Sequence, residues 1–306
     1  MNYKIRHIVL LIVIILIVGI VFLLIREGNL SGSTPPILDS PEAERQDKLK
    51  IPPLDSDRTE EQIRHVQEEM ANQVLRLLDD QDQSIVAIGD SLTQGVGDET
   101  EQGGYVGILD ELLNQEESTI SFTNLGRRGN RSDQLLERLE EEEEVEIELQ
   151  NADLIFITIG ANDLMKVVRE NFMDLKLQDF VEERTNYAKR LQRIFNEVRM
   201  INPDAHIYLI GFYNPFEKYF PHIKELDMIV DEYNHTGITI ANRIENSSFI
   251  PTSDLFQDND IELLSDDEFH PNYQGYNLMA TRVLEYILLA GGIKDDELAK
   301  IPVQAN

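Results

Sequence analysis

The chain contains no cysteine. A thiol nucleophile, a disulfide framework, a zinc–thiolate site and a lipid-modified N-terminal cysteine are therefore excluded. It is also short of positive charge: 27 Lys and Arg stand against 57 Asp and Glu in 306 residues, a formal net charge of −30. Nucleic-acid binding needs a basic footprint that displaces counterions, so that class is excluded. Flat adsorption onto an anionic membrane surface is disfavoured for the same reason. The surplus carboxylates read as a heavily solvated, solubilising surface; a saline or alkaline setting is the sharper alternative. There is no internal repeat. The remaining composition, 42% hydrophobic and 27% charged, is that of an ordinary globular protein long enough for one sizeable domain plus appendages.

Residues 8–25 form an uncharged apolar run of 18 residues. As a helix it would span about 27 Å, close to the hydrocarbon thickness of a bilayer. A cleavable signal has a shorter core and an Ala-x-Ala-like site. The run therefore reads as an uncleaved membrane anchor over 1–27, although Ser31-Gly32-Ser33 leaves cleavage and secretion open. Lys4, Arg6 and His7 precede the run, which keeps the N-terminus inside and places the rest of the chain outside the cytoplasmic membrane. Residues 28–58 read as a flexible linker, holding Pro35, Pro36, Pro41, Pro52 and Pro53 and little apolar periodicity.

The domain occupies 59–306. It opens with a helix from Thr59 whose Ile63, Val66, Met70, Val74 and Leu77 recur at three- and four-residue steps. Short β-branched or apolar runs at 84–89, 120–124, 154–160, 206–211 and 248–252 then alternate with helical stretches at 105–113, 132–143, 180–201, 223–244 and 276–289, the last stopped by Gly291-Gly292. This alternation predicts an α/β fold: a parallel sheet in a three-layer α/β/α sandwich with sites at the carboxyl ends of the strands. The acidic run at Glu140–Glu144 with Glu146 and Glu148 is expected to be a helix end and exposed loop.

The chemistry-bearing residues lie at those strand ends. Ser91 follows the first strand in Gly89-Asp90-Ser91-Leu92; Gly129 and Gly160-Ala161-Asn162-Asp163 follow the next two. Far downstream, Asp267-Glu268-Phe269-His270-Pro271 supplies an acid three residues before an imidazole. A serine hydroxyl attacks an ester only when a base takes its proton. Imidazole can take that proton and return it near neutral pH, and a carboxylate fixes its tautomer. Taken singly, Ser91 also suits a turn, His270 a helix cap, and Asn162 the cap of a helix near Asp163. Asp266 competes with Asp267 for the carboxylate role. Pro271 suits the first position of a helix. His65, His206, His222 and His235 show no ligand spacing, and no metal is implied. Asn130, Asn234 and Asn246 begin sequences that match a glycosylation sequon.

As an ordered set, these segments resemble the SGNH, or GDSL, hydrolase superfamily over about 84–290. The N-terminal anchor makes the layout similar to a membrane-anchored bacterial lipase/acylhydrolase branch. The resemblance implies a flavodoxin-like sheet and a serine esterase or lipase acting on small-molecule, lipid or glycan esters without a cofactor. It implies Ser91, His270 and Asp267 as the triad, the family spacing favouring Asp267, with oxyanion donors at Ser91, Gly129 and Asn162. Rival expectations are an O-acetyl esterase of cell-wall glycan and a non-catalytic tethered binding protein. One departure stands out: Arg127, Arg128 and Arg131 flank Gly129, where many relatives carry an acid and then Ser or Thr. These arginines are expected either to brace the loop by salt bridges or to meet an anionic part of the substrate.

Overall fold

The computed structural model describes residues 60–78, 83–114, 120–171, 174, 176–215, 224–257 and 262–292. The expected anchor, the linker, Thr59 and His222 lie outside them. Among the described residues no helix is long and apolar enough to cross a membrane.

Five strands, β1 (Ser84–Gly89), β2 (Ser121–Gly126), β3 (Leu154–Thr158), β4 (His206–Ile210) and β5 (Ser247–Ile250), pair in parallel in the order β2-β1-β3-β4-β5. That is the flavodoxin-like order, and it reverses beside β1, opening a crevice at the carboxyl ends of β1 and β3.

Side-chain alternation along the strands builds the layers. Val86, Ile88, Ile155, Ile157, Ile207 and Leu209 point to one face. There they meet α4 (Ser132–Glu141), α5 (Glu143–Gln150), α6 (Ala161–Glu170), α7 (Leu177–Ile201) and α8 (Lys224–Ala241). Ile85, Ala87, Phe156, Tyr208, Ile210 and Ile250 point to the other face. They pack on α1 (Glu60–Leu77), α3 (Gly104–Leu113), the short α9 (Ser253–Phe256) and α10 (Tyr273–Ala290). Both faces are covered, so β1 and β3 read as nearly continuous apolar runs. The N-terminal helix belongs to this body: Met70, Ala71 and Val74 are buried, and Gln67 donates to Thr281 of α10 at 2.7 Å.

Two expectations need correction. The acidic run ends α4 and then forms the helix α5 rather than a loop, because Val145 and Leu149, one turn apart, bury against the core. Its acids are partly spent on neighbours: Glu140 pairs with Arg193, and Glu148 accepts from Thr123. Pro271 is not the first residue of a helix. Asn272 caps α10, its side chain accepting from Gly275 N, while Pro271 pairs with Leu264 in an antiparallel bridge.

Candidate active site

Gly89 ends β1 against β3. A Cβ at this glycine, whose φ is +153°, would lie 2.2 Å from the Thr158 carbonyl oxygen. The close approach lets Asp90 N donate to that oxygen at 3.1 Å. The Asp90 carboxylate then turns back to accept from Leu92 N at 3.0 Å, capping the short helix α2 (Ser91–Gln94). Ser91 is thus the first helical residue, raised on a tight turn at the crevice.

His270 comes from the loop before α10. Its Nε2 stands 2.9 Å from Ser91 Oγ and its Nδ1 stands 2.6 Å from Asp267 Oδ2. Both Ser91 and His270 are buried. Asp267 Oδ1 accepts from the backbone N–H of Phe269 and of His270 at 3.0 and 2.9 Å, and from the Ser265 hydroxyl at 3.0 Å. Partial burial raises the Asp267 pKa, but these bonds and the imidazole outweigh it and hold the carboxyl well below its usual range. An ionised Asp267 keeps a proton on Nδ1, which leaves the Nε2 lone pair facing the Ser91 hydroxyl. Asp266 is exposed and makes no bond to His270, so the competition between the two acids is decided by geometry.

Two more loops converge here. Arg127 N donates to Gly89 O at 3.0 Å, joining the end of β2 to the end of β1. Residues 127–130 form a turn closed by Asn130 N donating to Arg127 O at 3.0 Å, with Gly129 at φ +80°. That conformation favours glycine at the third turn position, and nothing lies within 4 Å of where its Cβ would be. Asn162, in the first turn of α6, donates from Nδ2 to the Asn130 carbonyl at 3.0 Å. Gly160, not Asn162, occupies the cap position of α6.

Below this turn lies a polar brace that the sequence did not disclose. Arg138 of α4 is buried and donates to Asn130 Oδ1 and to Leu125 O, both at 2.9 Å, and to Glu142 at 3.2 Å. Buried Asp163 accepts from Ser132 N at 3.0 Å, from Ser132 Oγ at 2.5 Å and from Arg190 at 3.0 Å, locking α4, α6 and α7 together. Its burial pushes its pKa up, against the pull of Ser132 and Arg190. The only sequence signal for Arg138 is a cation on an apolar helix face. The sequons at Asn130 and Asn234 are buried, and both side chains are hydrogen-bonded.

The three arginines separate. Arg127 makes a forked pair with Glu142, at 2.8 and 3.2 Å. Arg131 pairs with Asp133 at 2.9 Å. Arg128 is exposed, and among the described residues only its backbone N–H is engaged, by Gln94 Oε1 at 2.7 Å.

A cleft opens beside Ser91. Leu92, Ala161, Leu164, Met165, Val168, Phe180, Phe212, Tyr213, Leu226, Ile229, Val230 and Phe269 give it an apolar wall, with Asn162 at its edge. Among the described residues no group of three or more His, Asp or Glu side chains is placed to hold a metal ion.

A serine, an imidazole and a carboxylate in line at the carboxyl edge of a parallel sheet define the hydrolase class of this fold. The model of the GDSL-like lipase/acylhydrolase family matches residues 87–278, and the chain belongs to that family. It is 37% identical over 211 residues to the uncharacterized protein YpmR of Bacillus subtilis (strain 168), covering 68% of this chain and 82% of YpmR. The lipase Lip_vut3 from a goat rumen metagenome superposes with a TM-score of 0.57 at 26% identity, over 69% of this chain and 97% of its own. A variant of Axe2, an acetyl-xylooligosaccharide esterase from Geobacillus stearothermophilus, gives 0.52 at 25% identity over 69% and 95% of the two chains. The chain is a carboxylic ester hydrolase.

Proposed function

We propose that the protein hydrolyses esters of aliphatic acyl groups through Ser91, His270 and Asp267. His270 Nε2 takes the Ser91 proton as Oγ bonds to the carbonyl carbon, and gives it to the departing alcohol oxygen as the ester C–O bond breaks. Water then repeats the sequence on the acyl-serine and releases the acid. Asp267 stabilises the imidazolium in both halves. The N–H groups of Ser91 and Gly129 and the Asn162 amide bind the oxyanion.

The observation that carries this reading is the 2.9 Å contact between Ser91 Oγ and His270 Nε2 at the mouth of the apolar cleft. The cleft supports a chain of several carbons in preference to acetyl, and therefore a lipid or short-chain acyl esterase in preference to a glycan O-deacetylase. A fluorophosphonate should label the wild type and fail to label Ser91→Ala; equal labelling of both would remove Ser91 from the chemistry, and a wild type that resists labelling would leave the tethered-binding alternative standing.

The same reading places the domain outside the cytoplasmic membrane on an N-terminal anchor. It is supported by the uncharged run at 8–25 and the cations before it. Carbonate extraction and protease digestion of intact cells test it: a chain released by carbonate, or one protected from protease, rejects it.

A further inference from the structure

We infer that Arg128 selects substrates whose leaving alcohol carries a phosphate. The inference rests on the esterase reading above and assigns the second half of the substrate.

Of the three arginines around the oxyanion turn, two are paired with carboxylates, though the buried Nε of Arg131 has no partner among the described residues. Arg127 is forked onto Glu142 and Arg131 is held by Asp133. No described residue pairs with the Arg128 guanidinium. In a chain of net charge −30 it is an exposed cation with no carboxylate partner among the described residues. Its position is built rather than incidental: the Arg128 N–H is fixed at 2.7 Å by Gln94, the last residue of the short helix that Ser91 begins. Arg128 directly precedes Gly129, and the turn is pinned from beneath by Arg138 through Asn130.

The division of space then follows from the tetrahedral centre. The acyl chain takes the apolar cleft, whose wall includes none of residues 127–131. The alcohol must leave by another direction, away from that wall. The polar cleft behind the turn is lined by Arg127, Arg138, Glu137, Glu141 and Glu142, so its cations are already balanced and it does not take an anion. Arg128 remains to meet a phosphate on the alcohol, where a guanidinium offers a forked pair of donors. An acidic surface elsewhere repels such a substrate, so a cation beside this turn favours it.

The test uses the full-length protein with two soluble probes of equal acyl length, 1-hexanoylglycerol and 1-hexanoylglycerol 3-phosphate. Wild type should show the lower KM for the phosphate ester. Arg128→Gln should raise that KM roughly 10-fold, the worth of a charge-assisted hydrogen bond. It should leave kcat, and both constants for the neutral ester, unchanged. Arg128→Lys should recover part of the loss, and added salt should shrink the difference between the probes. An unchanged KM in Arg128→Gln, or an equal rise for both probes, overturns the role of Arg128 while ester hydrolysis stands. If wild type hydrolyses neither probe and resists fluorophosphonate, the esterase reading falls and this inference falls with it.

Discussion

The Asn162 side-chain amide donates to the backbone carbonyl of Asn130 at 3.0 Å, so the residue proposed as an oxyanion donor is tied to the turn that presents Gly129. One amide hydrogen is spent on this tie and the other remains for substrate. Asn162→Ala should lower kcat about 10²–10³-fold with a small change in KM. The lost bond should cost only about 1 kcal/mol of stability. Steady-state kinetics beside a thermal melt separate the two effects; a variant that loses stability but keeps its kcat would make Asn162 a strut and nothing more.

The sheet was legible because its strands are short β-branched runs spaced by helical periodicity, and parallel burial keeps such runs apolar. The four segments carrying Ser91, Gly129, Asn162 and His270 were legible because each follows a strand or precedes the last helix. What stayed hidden depends on tertiary partners. Residue chemistry alone did not separate Asp267 from Asp266; the family spacing favoured Asp267, and that is the acid the loop turns toward the imidazole. The arginines at 127, 128 and 131 are alike in sequence, and only Glu142 and Asp133 tell them apart. Helix α5 was mistaken for a loop because its acids outnumber the two apolar residues that dock it.

Asp267→Asn should lower kcat roughly 10³–10⁴-fold, because an amide leaves the imidazole without its charge partner and frees the tautomer. The wild-type carboxylate also carries a pH signature. Its pKa is depressed in the native state, so its contribution to stability is complete above about pH 4, where the unfolded chain also ionises. That contribution is lost as pH falls further. Acid melts of wild type and variant should therefore converge below pH 4; parallel curves would show that Asp267 is not held ionised by His270.

Asp90 has the opposite sign. It is 1% exposed, and burial, its largest influence, raises its pKa to about 6, while Leu92 N–H and the Thr158 hydroxyl oppose the shift. Between about pH 4 and pH 6 the native state keeps a proton that the unfolded chain has released. Stability should fall as pH rises through that window, by about 3 kcal/mol at most for a shift of this size. Asp90→Asn can still accept from Leu92 and Thr158 and never ionises. Its melting temperature relative to wild type should be more favourable at pH 8 than at pH 4, whatever the absolute offset. A difference independent of pH would mean that Asp90 is not a buried charge.

The apolar cleft makes the most quantitative prediction. Each methylene moved from water into it contributes about 0.8 kcal/mol, or about 4-fold in kcat/KM. A series of p-nitrophenyl esters should thus climb steeply from acetyl and level off when the chain reaches the end of the cleft. Met165 and Ile229 line that space and are only partly buried, so a larger ring can enter at either position with limited strain. Met165→Trp and Ile229→Trp should move the plateau to shorter chains and lower kcat/KM for decanoyl by 10-fold or more, leaving acetyl nearly unchanged, since acetyl needs only the space next to Ser91. A flat or falling profile in the wild type would assign the cleft to something other than the acyl chain. The glycan deacetylase reading, for which acetyl alone must fit, would then be the better account of the same triad.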